Sequence, residues 1–141
     1  MTQCPECGAR YDHEGDTCRA HFDTLLALDH SRQEPWGSRH GLAFASFALQ
    51  HPSIFPQSLD QSWSALYAIC VTGHEQGYVF RELVAGNRGI PAEWKVPARP
   101  ALPSAAPSYT IADLGDFDAG TYAERIERMC RASLAMWGVN G

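Results

Sequence analysis

No run of lysine or arginine gathers positive charge anywhere in these 141 residues, and 16 acidic side chains stand against 11 basic ones, for a formal charge of −5. Binding along a phosphate backbone needs a contiguous basic face, so nucleic acid is not an expected partner. No apolar stretch approaches the roughly 18 residues that a membrane-spanning helix requires. The opening Met-Thr-Gln-Cys-Pro-Glu has neither the basic segment nor the apolar run of a secretion signal. The expectation is a cytoplasmic protein with no membrane partner. G-x-S-x-G elbow, P-loop and H-E-x-x-H are all missing, and the glycines are scattered rather than arranged to cradle phosphate. There is no internal repeat, and no alternating apolar run long enough for more than a minor hairpin near the N-terminus.

Cysteine is scarce as well, five in the chain, an odd number that a reducing compartment turns away from disulfides. Three of the five fall in the first eighteen residues. Cys4 and Cys7 form a C-P-E-C-G knuckle in which Gly8 allows the positive φ that closes the turn, and Cys18 follows. Thiolates at this spacing are the ligands of a tetrahedral zinc site, so Zn2+ is the expected cofactor. Cys70 and Cys130 sit inside apolar helical patterns, where a free thiol behaves as a small hydrophobe, and both are expected in the core.

Periodicity sketches the rest. Thr17 is a plausible N-cap for a helix running to about His30, with Phe22, Leu25 and Leu26 on its apolar side. A second helix starts after Ser38 and runs through Leu42, Ala45, Phe47 and Leu49 to His51, where Pro52 forbids continuation. Ser58-Leu59-Asp60-Gln61 has the form of a capping box for a third helix reaching as far as Gly77, and a shorter fourth covers Tyr78 to Ala85. Five prolines between Pro91 and Pro107 make an extended strap. Beyond it, Thr121-Tyr122-Ala123-Glu124 reads as a second capping box, and Ile126, Met129, Cys130, Leu134 and Trp137 stripe the last helix. That stripe serves a core or a dimer interface equally well.

The expected fold is all-α: one helical domain of four to five helices, 45% hydrophobic in composition. Its parts are a zinc knuckle and helix start (1–21), a helical core (22–90), the Pro-rich strap (91–108) and a C-terminal helical segment (109–141). The four tryptophans are expected in packing. Asp113, Asp116 and Asp118 alternate in a loop, which helix capping explains better than a calcium site.

The fourth zinc ligand is open. His21 lies three residues after Cys18, so on a helix both project from one face, and spacing alone favours it. His40 opens the second helix, and a short loop through Pro35, Trp36 and Gly37 offers to bring it near the knuckle. A bound water is the third possibility. His40 and His51 are three turns apart, about 16 Å at the α-helical rise, and cannot share an ion on one helix. His51 reads as a C-terminal cap for the last carbonyls; alternatively it lines a pocket beside the metal together with Gln50. His13 and His30 are expected in solvent.

Taken in order, Cys4-Pro5-Glu6-Cys7-Gly8, Cys18, Arg39-His40-Gly41-Leu42, Leu49-Gln50-His51-Pro52 and a C-terminal helix ending at Trp137 resemble a family of small bacterial proteins of unknown function. The likeness covers nearly the whole chain and implies no activity. It implies that His40 and His51 occupy family positions and His21 does not, which pulls the fourth-ligand choice to His40. Three functional classes follow: a structurally zinc-bound helical protein acting through a protein partner, a small hydrolase-like metal enzyme with an open zinc position, and a thiol sensor that releases zinc on oxidation.

Overall fold

The structure is a computed structural model that describes residues 2–86, 89–114 and 117–139. Thr17 is extended, and its hydroxyl oxygen accepts the Ala20 N–H at 3.0 Å, so α1 (Cys18–Asp29) begins where the cap places it. Helix α2 (His40–Gln50) stops just before Pro52, whose ring biases His51 out of the helical region (φ −135°, ψ 67°). Helices α3 (Leu59–Cys70), α4 (Gln76–Val84) and α5 (Tyr122–Met136) follow. Strands β1 (Thr2–Gln3) and β2 (Arg10–Tyr11) pair antiparallel as the small hairpin of the knuckle. The fold is a mostly helical small domain with an N-terminal cysteine knuckle, as the patterning implies.

Helix ends depart from the sequence reading in three places. Neither Ser58 nor Thr121 makes a side-chain cap, because a 3-10 turn precedes each helix, Pro56–Ser58 and Ala119–Thr121. Asp118 caps the second of these turns through the Gly120 N–H. Helix α3 ends at Cys70 rather than near Gly77, since the chain turns there and Glu75 accepts the Gly77 and Tyr78 N–H groups, each at 2.8 Å, to open α4. Cys70 therefore lies on the last turn of α3 and is exposed, correcting its expected core placement, whereas Cys130 is fully buried. Asp113 accepts the Thr110 N–H at 2.8 Å, as a loop-capping group; Asp116 lies outside the described residues.

Helix α2 is the centre. Leu42, Ala43, Ala45, Phe47, Ala48 and Leu49 are all buried, and its alanines let α3 and α5 approach closely on either side. Gly41 takes this furthest: a Cβ there would stand 2.7 Å from the Phe80 ring. Helix α1 lies along α2, with Phe22 stacked on Phe47 at 4.1 Å between centroids. Contacts run from Asp29 beside His40 at one end to Cys18 beside His51 at the other, so the two helices are antiparallel.

The Pro-rich strap is tied down by tryptophans and one arginine. Trp63 Nε1 donates to Pro97 O at 2.8 Å, Arg99 bonds Asp60 and lies over the Trp137 ring, and Ser104 N–H reaches Met136 O at 2.8 Å. Trp94 is fully buried against Ala65, Ala68 and Val79, and Trp137 Nε1 donates to Leu49 O at 2.9 Å. Among the described residues, no helix is long and apolar enough to cross a membrane.

Candidate metal centre

The knuckle closes on two backbone hydrogen bonds, Cys4 N–H to Ala9 O at 2.8 Å and Gly8 N–H to Cys4 O at 2.9 Å, with Gly8 at φ +81°. An L side chain at that angle would be strained, which is why the turn needs glycine. Cys7 is buried behind it, while Cys4 is half-buried. Cys18, the first residue of α1, brings its sulfur 3.5 Å from that of Cys7. The fourth member is His51. Its ring nitrogen and the sulfurs of Cys4, Cys7 and Cys18 all lie within 4.8 Å of one another, a grouping that could hold a metal ion.

The orientation of His51 follows from its place in the chain. One residue before Pro52, it leaves the helix, stacks on Phe47 at 4.1 Å and sets Nδ1 2.8 Å from Phe47 O. A carbonyl only accepts, so Nδ1 carries the proton, and in the neutral ring Nε2 is left with its lone pair. That nitrogen is buried and has no hydrogen-bond partner. A histidine fixed through one nitrogen by a backbone carbonyl and bare at the other is the usual arrangement of a metal ligand. The helix-capping role expected of His51 and a ligand role thus coexist in one ring.

Electrostatics divide the sulfurs. The Cys7 thiol donates towards Cys18 and is buried, which pushes it well above the ordinary thiol range. Cys18 is held below that range by the Cys7 hydrogen bond against the opposing effect of burial, helped by the Tyr11 hydroxyl, which donates to Cys18 Sγ at 3.1 Å. Cys18 is therefore more readily ionised than Cys7. Glu6 adds a mechanical tie: its carboxylate accepts the Ser53 N–H at 3.0 Å, joining the knuckle tip to the segment just after His51.

Neither histidine favoured from sequence joins this group. His40 stands at the opposite end of α2, with Nδ1 3.5 Å from Asp29 Oδ2. The loop through Pro35 and Gly37 does return the chain, but to the C-terminal end of α1; the knuckle sits at the other end of that helix. His21 is turned against Tyr11 and Phe117, with ring centroids at 5.0 and 6.2 Å, and the Tyr11 ring stands beside it while its hydroxyl reaches Cys18. Gln50 also points away from the cluster: its Nε2 donates to Tyr109 O at 2.9 Å and Ser133 Oγ at 3.0 Å, linking α2 to α5. His13 and His30 are exposed, as expected.

A signal for His51 was present. Two helices of nearly equal length joined by a ten-residue loop pack antiparallel, and that pairing sets the first residue of α1 against the residue that ends α2. Beside the cluster lies a cleft of about 470 Å³, bordered by Cys4, Cys18 and His51 and by Tyr11, Glu14 and Ile54.

The chain belongs to a family of unknown function, DUF5946, which matches residues 2–138. No curated protein and no solved structure matches it.

Proposed function

We propose that this is a zinc protein in which one structural ion is held by Cys4, Cys7, Cys18 and His51, and that it acts by presenting a metal-stapled helical surface to a protein partner. The observation that carries the reading is the bare, buried Nε2 of His51 beside three cysteine sulfurs. A buried imidazole nitrogen without a partner loses about 1–3 kcal/mol of solvation, and an ion at that point removes the loss.

The donor set fits zinc. Three thiolates and one imidazole make a common structural shell, and the 3.5 Å between Cys7 and Cys18 sulfurs is close to the edge of about 3.8 Å in a tetrahedron with zinc–sulfur bonds of roughly 2.3 Å. Four protein donors complete the coordination, which supports a structural role over the hydrolase-like alternative, because the latter needs an open position for water. Cys4, half-buried at the cleft, is the side from which an ion enters. The ion would join the knuckle, the start of α1 and the end of α2, three segments otherwise linked there by Glu6, Tyr11 and the Phe22–Phe47 stack. The single-domain organisation belongs to the same proposal, supported by an apolar cluster that runs from Cys7 and Tyr11 through Phe22 and Phe47 to Ile126 and Trp137.

The test is metal content by plasma mass spectrometry on the purified parent and on His51→Ala, His40→Ala and His21→Ala. The reading expects one zinc per chain in the parent and in the His40 and His21 variants, and loss in the His51 variant. Zinc kept by His51→Ala and lost by His40→Ala would sink the ligand assignment, and a metal-free parent after reconstitution with zinc would sink the reading itself.

A further inference from the structure

The two cysteines outside the metal cluster form a second thiol site. Cys70 ends α3 and is exposed; Cys130, in the middle of α5, is fully buried. Both line one cavity of about 350 Å³ where α3 packs on α5, shared with Leu42, Ile69, Glu75, Gln76, Glu127 and Arg131. Cys70 also borders a neighbouring cavity of about 380 Å³, with Ser108, Arg128 and Arg131 on its walls. Cys70 therefore borders open space on two sides, while Cys130 is fully buried at the wall of one of these cavities.

We infer that Cys70 and Cys130 are a hydroperoxide-reactive pair in which Cys70 is the attacking thiol, Cys130 the resolving one, and a reversible disulfide between α3 and α5 the product. The roles follow from position. A small oxidant meets Cys70, which is exposed and borders both cavities, before Cys130, which has no accessible surface. Cys130 is held by two polar groups of α2: Ser46 Oγ donates to its sulfur at 3.1 Å, and its own thiol reaches towards Leu42 O at 3.7 Å.

The charges around Cys70 agree. Its thiol is lowered, first by the neighbouring Cys130 thiol against burial and then by Arg131, with Glu127 opposing; the remaining charged group on the shared cavity is Glu75. A thiolate is the nucleophile towards peroxide, so this is the direction that reactivity requires.

The chemistry balances in two steps. The Cys70 thiolate attacks the terminal oxygen of a hydroperoxide, the O–O bond breaks, and the alcohol or water departs with a proton from solvent, leaving a sulfenic acid. The Cys130 sulfur then attacks the Cys70 sulfur; the S–O bond breaks, and the hydroxyl leaves as water with the Cys130 proton. Two thiols are oxidised to one disulfide and one hydroperoxide is reduced.

The experiment treats the zinc-loaded full chain with a few equivalents of hydrogen peroxide, alkylates the remaining thiols and maps cysteines by peptide mass spectrometry. A cross-linked Cys70–Cys130 peptide is expected, reversed by dithiothreitol, with zinc retained. In Cys130→Ser, and in Cys130→Ala should the hydroxyl be poorly accommodated, dimedone should label Cys70. In Cys70→Ser, an exposed change that leaves the core intact, Cys130 should stay reduced. Oxidation confined to Cys4, Cys7 and Cys18 with zinc release, or a Cys70–Cys70 disulfide between two chains, overturns the proposal. So does unchanged oxidation of Cys130 in Cys70→Ser.

Discussion

Cys18 opens α1 and His51 closes α2, and the antiparallel run of those two helices sets their donor atoms within 4.8 Å of each other. Along α2 itself, His40 stands at the far end, against Asp29. The helix pair thus carries a thiol–imidazole cluster at one end and a carboxylate–imidazole contact at the other, with Phe22 on Phe47 between them.

Replacing His51 with Ala is expected to release zinc and to lower the melting temperature by roughly 10 °C, the shift that corresponds to a loss of about 3 kcal/mol in a chain of this size. Chelator added to the parent should produce the same melting curve, whereas chelator added to the variant should change nothing. Differential scanning calorimetry on the four samples decides it; a variant that still responds to chelator contradicts the assignment.

Tyr11→Phe removes the hydroxyl that donates to Cys18 Sγ and leaves the ring in place. Groups that support a metal ligand in this way typically contribute 10–100-fold in affinity. Competition with a chromophoric chelator should show zinc affinity reduced within that range and stoichiometry unchanged. Unaltered affinity would mean that the hydroxyl serves only packing.

Asp29 is buried, accepting the Tyr122 hydroxyl at 2.8 Å and the Gly37 N–H at 2.9 Å, with His40 beside it. Burial works to raise its pKa, but the His40, Gly37 and Tyr122 contacts outweigh it and the carboxyl is held below its ordinary 3.8. A depressed folded pKa means that the stabilisation is complete above the unfolded value and is lost as pH falls through the folded one. Asp29→Asn should therefore cost about 1–3 kcal/mol at pH 7 and progressively less below pH 4. Urea titrations of parent and variant at pH 7 and pH 3 measure the difference, and the comparison cancels metal release by acid, common to both. A gap that stays constant with pH refutes the argument.

Gly41→Ala places a methyl 2.7 Å from the Phe80 ring at the contact between α2 and α4. Alanine favours a helix by up to about 1 kcal/mol, yet overpacking of this kind costs about 1–3 kcal/mol, so the net effect should be destabilising. Zinc content should not change, because the contact is at the end of α2 remote from the cluster. A stabilised variant would show that Phe80 moves aside freely.

Phe22→Ala tests whether the helix pair holds the cluster together. The ring is almost wholly buried, and its loss should cost about 3–5 kcal/mol. With the α1–α2 stack gone, zinc should bridge the two ends less tightly, so the variant should both melt lower and lose zinc to chelator faster than the parent. Faster release at unchanged melting temperature, or the reverse, would separate the two functions of the stack.

What the amino-acid order determined by itself is local. Thr17 caps α1 because its hydroxyl can reach a backbone N–H three residues on. Pro52 ends α2 because its ring forbids the preceding residue a helical conformation. Cys4, Cys7 and Cys18 fall together because a short glycine turn and hairpin leave them nowhere else to go. What only the tertiary structure decided is which distant groups meet these. His51 reaches the cysteines because α1 and α2 run antiparallel, an arrangement that their similar lengths and connecting loop allow and that the packing of Phe22 on Phe47 fixes. Gln50, its neighbour, points the other way into α5 because one residue changes the helix face by about 100°. Cys70 and Cys130 look alike in their apolar surroundings, yet one is exposed and the other sealed, since the end of α3 depends on the turn into α4 rather than on the stripe that precedes it.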